Sequence, residues 1–175
     1  HAAGIEVHAW FAVCPVGGST EAASDPRHIV NLHGPTQPGR ENWMSVTNTG
    51  QTLVSNNYWI DPGHPDAAAY TADVIQHVVQ NYAVDGIHLD LIRYSEDTTS
   101  TKGWGYNPVA VERFNRLSAR AGEPPVSDAA WAEFRRQQVT ALVRKIYLRA
   151  VRFRRNIRVS AALIPWGDAP ASMAA

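Results

Sequence analysis

The sequence predicts an α/β fold with a parallel sheet. Two observations carry this: apolar strand-like runs alternate with segments of helical period, and each strand-like run is followed by a polar, glycine-bearing stretch. A third sets the scale, since 175 residues with 45% apolar content and six Trp suit one domain with a substantial core. Sixteen basic residues balance sixteen acidic ones, so net charge gives no pull toward nucleic acid or an anionic surface. The single Cys14 excludes an intramolecular disulfide framework. No apolar run approaches the roughly twenty residues of a membrane span. The chain starts at His1 without a charged start and apolar signal core, and is read as a processed product or a fragment.

Residues 4–13, GIEVHAWFAV, are β-branched and aromatic enough for a buried strand, with Val7, Ala9 and Phe11 on one face and His8 and Trp10 on the other. Residues 15–57 are rich in Gly, Pro, Ser, Thr and Asn without a sustained period, and read as a long loop: either a lid or substrate-binding segment, or a decorated connection. Pro65 suits a first helical position, and Ala67, Tyr70, Val74, Ile75, Val78 and Tyr82 keep a helical period over residues 65–82. The stretch AVDGIHLDLIRY, residues 83–94, follows. Asp85-Gly86 reads as a turn, after which Ile87 and Leu89 face one way and His88 and Asp90 the other. A carboxylate is thereby delivered to the end of a buried strand, where α/β enzymes keep their chemistry. A polar loop leads to a helix over residues 109–121, started by Pro108 and ended by Gly122. The longest helix is expected from an N-cap near Ser127 to about Arg154, with Trp131, Phe134, Leu142 and Ile146 inward. A third strand, residues 157–164, closes the order, and a right-handed βαβ unit with parallel strands is the natural connection.

The motifs VHAWF at 7–11, DPGHP at 61–65, VDGIHLDLIRY at 84–94 and GYNP at 105–108 resemble the glycosyl hydrolase-like 10 family, as do Trp131, Arg135-Arg136, Val139-Thr140 and the strand VSAALIPWG. They occur in family order across nearly the whole chain. The resemblance implies a (β/α)8 TIM barrel related in outline to α-amylase-type hydrolases, with the three strands here as barrel strands three, four and five. Such a barrel takes about 250 residues. The chain would be a partial barrel, a single domain over residues 1–175 truncated at both ends. The resemblance further implies a glycosidase acting on a polysaccharide or peptidoglycan-type glycan, without a cofactor, in a secreted or cell-envelope setting.

Glycoside hydrolysis needs a proton donor on the leaving oxygen and a second carboxylate as nucleophile or base. By resemblance Asp90 takes the fourth-strand nucleophile position, with His88 in place of the usual Arg. Arg93 is placed to hold Asp90 ionised; the alternative is that Asp90 caps the next turn and Arg93 only pairs with it. Asp168 is the nearest acid after the third strand, Glu96 and Asp97 compete with it, and the true acid otherwise lies outside the chain. Sugars stack their C–H faces on aromatic rings, so Trp10, Trp104, Tyr106 and Trp166 suit a glycan cleft, Trp10 and Trp166 best. His8, His88, Arg93 and Tyr94 complete the candidate substrate-binding set. Trp131 is expected in the core; Trp43 and Trp59 stay open.

Two rival readings accompany this one. His8, Asp61, His64, His88 and Asp90 can be imagined as ligands of a metal-dependent hydrolase, but the chain has no HxH pair on a strand and no HExxH on a helix. A non-catalytic glycan-binding barrel that lost an acid is the other. Nine of the sixteen Lys and Arg lie between Arg135 and Arg158 with no acid among them. Their helical setting favours a solvated barrel exterior over a nucleic-acid surface.

Overall fold

Three parallel strands hold the apolar alternation read from the sequence: β1 (His8–Ala12), β5 (Gly86–Asp90) and β6 (Arg158–Ala161), in the order β1-β5-β6. The computed structural model describes residues 4–17, 23–95 and 102–164. Between the first two strands run β2 (Pro15–Gly17), α1 (Ile29–His33), a 3-10 turn (Gly39–Glu41), β3 (Leu53–Val54), β4 (Asn57–Trp59) and α2 (Pro65–Asn81). Between β5 and β6 lie α3 (Pro108–Ser118) and α4 (Ala129–Phe153). Both crossovers are long and helical, as parallel pairing requires.

One face of the sheet is covered by α2 and α4, which pack side by side. Ile87 and Leu89 point into that layer fully buried and meet a core that includes Ile75, Val79, Leu142 and Ile146. Emptying such a site by Leu→Ala costs about 2–5 kcal/mol. A second cluster of Tyr106, Phe114, Trp131 and Phe134 joins α3 to α4, with Trp131 and Phe134 stacked at 5.3 Å. Trp131 is thus core, as expected.

Helix ends follow local chemistry. The His64 Nδ1 accepts from the amides of Asp66 and Ala67 and caps α2, with Pro65 behind it. Asn107 caps α3, whose end comes at Ala119, in the left-handed region at φ 52°, three residues before Gly122. The cap of α4 is Asp128 and not Ser127: its carboxylate accepts from the amides of Ala130 and Trp131 at 2.8 and 3.1 Å. β6 is shorter than the predicted 157–164, since regular pairing covers four residues.

The expected long loop is largely structured. β2, β4 and β3 form a second, antiparallel sheet in that order. These strands are two or three residues long, too short to write a period into the sequence. Ser55 and Asn56 join β3 to β4 with φ of 47° and 63°, the paired positive angles of a tight hairpin turn. No helix among the described residues is long and apolar enough to cross a membrane.

Candidate active site

The sheet face turned away from the helices carries the polar residues of the three strands. Its rows follow the register: His8, Gly86 and Arg158 in one, Trp10, His88 and Ser160 in the next, then Ala12 beside Asp90. Trp10 is 62% exposed on this face. The His8 ring lies across Gly86, where an added Cβ would come within 2.5 Å of the ring. Gly86 therefore has a different role from the one its turn-like context suggests: it is the first residue of β5 without a positive φ, and its missing side chain makes room for His8.

Asp90 ends β5. Its carbonyl accepts from the Val13 amide at 2.8 Å, and its carboxylate Oδ1 accepts from the Leu91 amide at 2.7 Å. Leu91 sits at φ 51°, an unusual backbone position for a branched side chain, and turns the chain sharply after the strand. Asp90 thus does make the turn-capping bond of the bland alternative. That bond engages one oxygen, and among the described residues the other has no hydrogen-bond partner. His88 Nδ1 lies 2.9 Å from Ser160 Oγ on β6. The expected Arg93–Asp90 ion pair is absent among the described residues. Arg93 lies instead beside Cys14, whose thiol is pushed up to about 12 by burial, with the Arg93 backbone N–H opposing that shift.

Tyr94 turns inward. Its hydroxyl donates to Asp61 Oδ1 at 3.1 Å, and the same oxygen accepts from the Gly63 amide at 2.7 Å. Asp61 is fully buried, and burial raises its pKa from 3.8 to about 6. Ser45 and the Asn107 amide lie close enough to oppose part of that rise, yet Oδ2 makes no full hydrogen bond. Tyr94 is itself raised, first by burial and then by the Asp61 charge, so it remains a donor. Gly105, at φ 98°, closes over this pair: a Cβ there would meet the Tyr94 ring at 2.8 Å and the Arg135 stem at 2.9 Å. Asn107 donates from Nδ2 to the carbonyls of Asn42 and Met44, both at 2.9 Å. DPGHP and GYNP are therefore corner motifs that tie loops to helix starts. Both His64 ring nitrogens are engaged in this work, Nε2 with the Arg40 carbonyl at 3.0 Å.

The chain's motifs now have a geometry, and it can be set against known proteins. The model of the family described as glycosyl hydrolase-like 10 matches residues 1–168. The chain belongs to the glycosyl hydrolase-like 10 family. No curated protein matches it. For this glycosyl hydrolase-like 10 chain, strand alternation paired His8 with Trp10 on one strand and His88 with Asp90 on another, and the structure brings both pairs onto one sheet face. Trp104 and Tyr106 are corrected: both are buried, Tyr106 within the Trp131 cluster, because the chain after Gly103 folds inward onto α4. Trp59 is also buried, while Trp43 stacks on His33 at 3.4 Å. Asp168, Trp166, Glu96 and Asp97 lie outside the described residues. Ser160 was missed; the available signal was its position between the apolar Val159 and Ala161, on the polar face of a strand parallel to that of His88.

Proposed function

We propose that this chain is the central arc of a (β/α)8 barrel that hydrolyses glycosidic bonds in a polysaccharide or peptidoglycan-type glycan, with Asp90 as a catalytic carboxylate. The observation that carries this reading is the placement of Asp90: at the carboxyl end of a parallel strand, on the face shared by Trp10 and His88, with a carboxylate oxygen left for chemistry. Trp10 offers an exposed ring for a sugar face, and His88 a polar contact for a hydroxyl. Asp168 is the candidate partner acid, and Trp166 a second stacking surface. Tyr94 and Arg93 serve by shaping the loop that follows Asp90. Membership of a glycosyl hydrolase-like family supports the reaction class.

Asp90→Asn in the full-length protein abolishes release of reducing ends from soluble peptidoglycan glycan strands or maltoheptaose, while circular dichroism and melting stay close to those of the parent. Parental turnover in the variant would overturn the assignment. A second reading, a non-catalytic glycan-binding barrel, is favoured by one observation: Asp90 is the only carboxylate carried by the three parallel strands themselves. It predicts glycan binding that survives Asp90→Asn, with hydrolysis by neither form.

A further inference from the structure

We infer that Ser160 is a positioning residue that locks His88 with its proton on Nδ1, so that Nε2 offers a lone pair to a sugar hydroxyl on the open sheet face. The inference rests on the glycan-directed reading above for the identity of the hydroxyl, but its geometry stands without it.

Ser160 Oγ lies 2.9 Å from His88 Nδ1 and 3.4 Å from the Ile87 carbonyl oxygen. A carbonyl can only accept, and a serine hydroxyl has a single proton to give. Both contacts are satisfied together in one arrangement: the Oγ–H donates to the Ile87 carbonyl, and Oγ accepts from Nδ1–H. In the opposite tautomer the hydroxyl would turn its proton to Nδ1 and leave the carbonyl contact unmade. A neutral imidazole with Nδ1 protonated has a bare Nε2.

The surroundings give that lone pair a direction of use. β5 and β6 are in parallel register with His88 opposite Ser160, and Trp10 lies on the other side of His88 in the same row. Nδ1 is occupied by the neighbouring strand, and Nε2 has no hydrogen-bond partner among the described residues. A sugar stacked on Trp10 would bring its hydroxyl rim toward the adjacent imidazole, and a hydroxyl is a donor as well as an acceptor. Fixing the tautomer in advance avoids reorganisation on binding, as preorganised site groups do.

The test is nitrogen-15 NMR of the His88 ring in the full-length protein at a pH where the ring is neutral, for the parent, Ser160→Ala and Ser160→Thr. The expected result is an Nδ1–H ring in the parent and in Ser160→Thr, and a shift toward Nε2–H in Ser160→Ala. With soluble peptidoglycan glycan strands or maltoheptaose, Ser160→Ala raises KM roughly three- to tenfold, the worth of one hydrogen bond, with kcat little changed, and Ser160→Thr restores it. A parent ring protonated on Nε2, or a tautomer that Ser160→Ala does not shift, overturns the inference. If the tautomer behaves as expected and neither glycan is bound or cleaved, the positioning role stands and the choice of hydroxyl donor falls with the hydrolase reading.

Discussion

Asp61 shows what a single residue hides in a sequence. DPG reads as turn chemistry before a helix, and nothing local says that its carboxylate is sealed from water. The reason is distance along the chain: its partner Tyr94 lies 33 residues on. In the unfolded chain this carboxyl has its ordinary value of 3.8, while burial holds it near 6 in the folded protein. The folded state therefore binds the proton more tightly. The contribution of this group to stability is full below about pH 4, falls as pH rises through 6, and is then level, a loss of about 3 kcal/mol across the window. Asp61→Asn keeps an oxygen for Tyr94 and Gly63 and turns an amide toward Ser45, while removing the titration. Urea unfolding at pH 4 and pH 7 is expected to show the variant gaining relative to the parent at the higher pH. An equal difference at both pH values would mean that Asp61 is not held up by burial. By contrast, the candidate residues His8, Trp10, His88 and Asp90 were legible because strand alternation alone sorts them.

At the scale of elements, legibility followed length. The periodic stripe of α2 set its bounds to within one residue, whereas two- and three-residue strands left no pattern, and the antiparallel sheet went unseen. How elements dock was not legible either, because it depends on atoms that are missing. Gly63 is such a place: a Cβ there would lie 2.7 Å from the Cβ of Ala110 on α3 and 2.9 Å from Asp61 Oδ1. Ala110 is fully buried and cannot rotate its methyl group away. Gly63→Ala should therefore destabilise by about 1–3 kcal/mol, the usual cost of overpacking. Ala110→Gly costs about 1 kcal/mol by helix propensity, but in the double variant it opens the space the new methyl needs. The two changes should be coupled by about 1 kcal/mol toward stability, with recovery incomplete because Asp61 stays close. Denaturant unfolding of the four proteins gives the coupling; strict additivity would show that α3 does not seat on Gly63.

Across the whole molecule, the basic run from Arg135 to Arg158 is the feature whose meaning changes most between sequence and structure. Read as charge, it suggests a polyanion surface or a solvated exterior. In the fold, several of these side chains join elements. Arg135 donates to the Trp104 carbonyl at 2.7 Å, and Arg149 pairs with Asp73 on α2. Arg154, at the end of α4, donates to the carbonyls of Val79, Tyr82 and Val84, and so satisfies the last turn of α2 and the connection into β5 at once. Carbonyls in the last turn of a helix, such as that of Val79, lack the regular intrahelical bond, while the Tyr82 carbonyl also accepts from the Val84 amide at 2.9 Å. One guanidinium thus ties together both helices that back the parallel sheet and the connection that leads into the strand carrying Asp90. A Lys has neither the planar fork nor enough donors in the right directions to replace it. Arg154→Ala is expected to cost about 2–4 kcal/mol, Arg154→Lys to recover less than half, and Arg152→Ala, an exposed neighbour, to stay within about 0.5 kcal/mol. Thermal melts compared across these three variants and the parent measure this directly. If Arg154→Ala and Arg152→Ala melted together, the run would be solvated charge throughout, and the clamp between α2 and α4 would have to lie in their apolar contact alone.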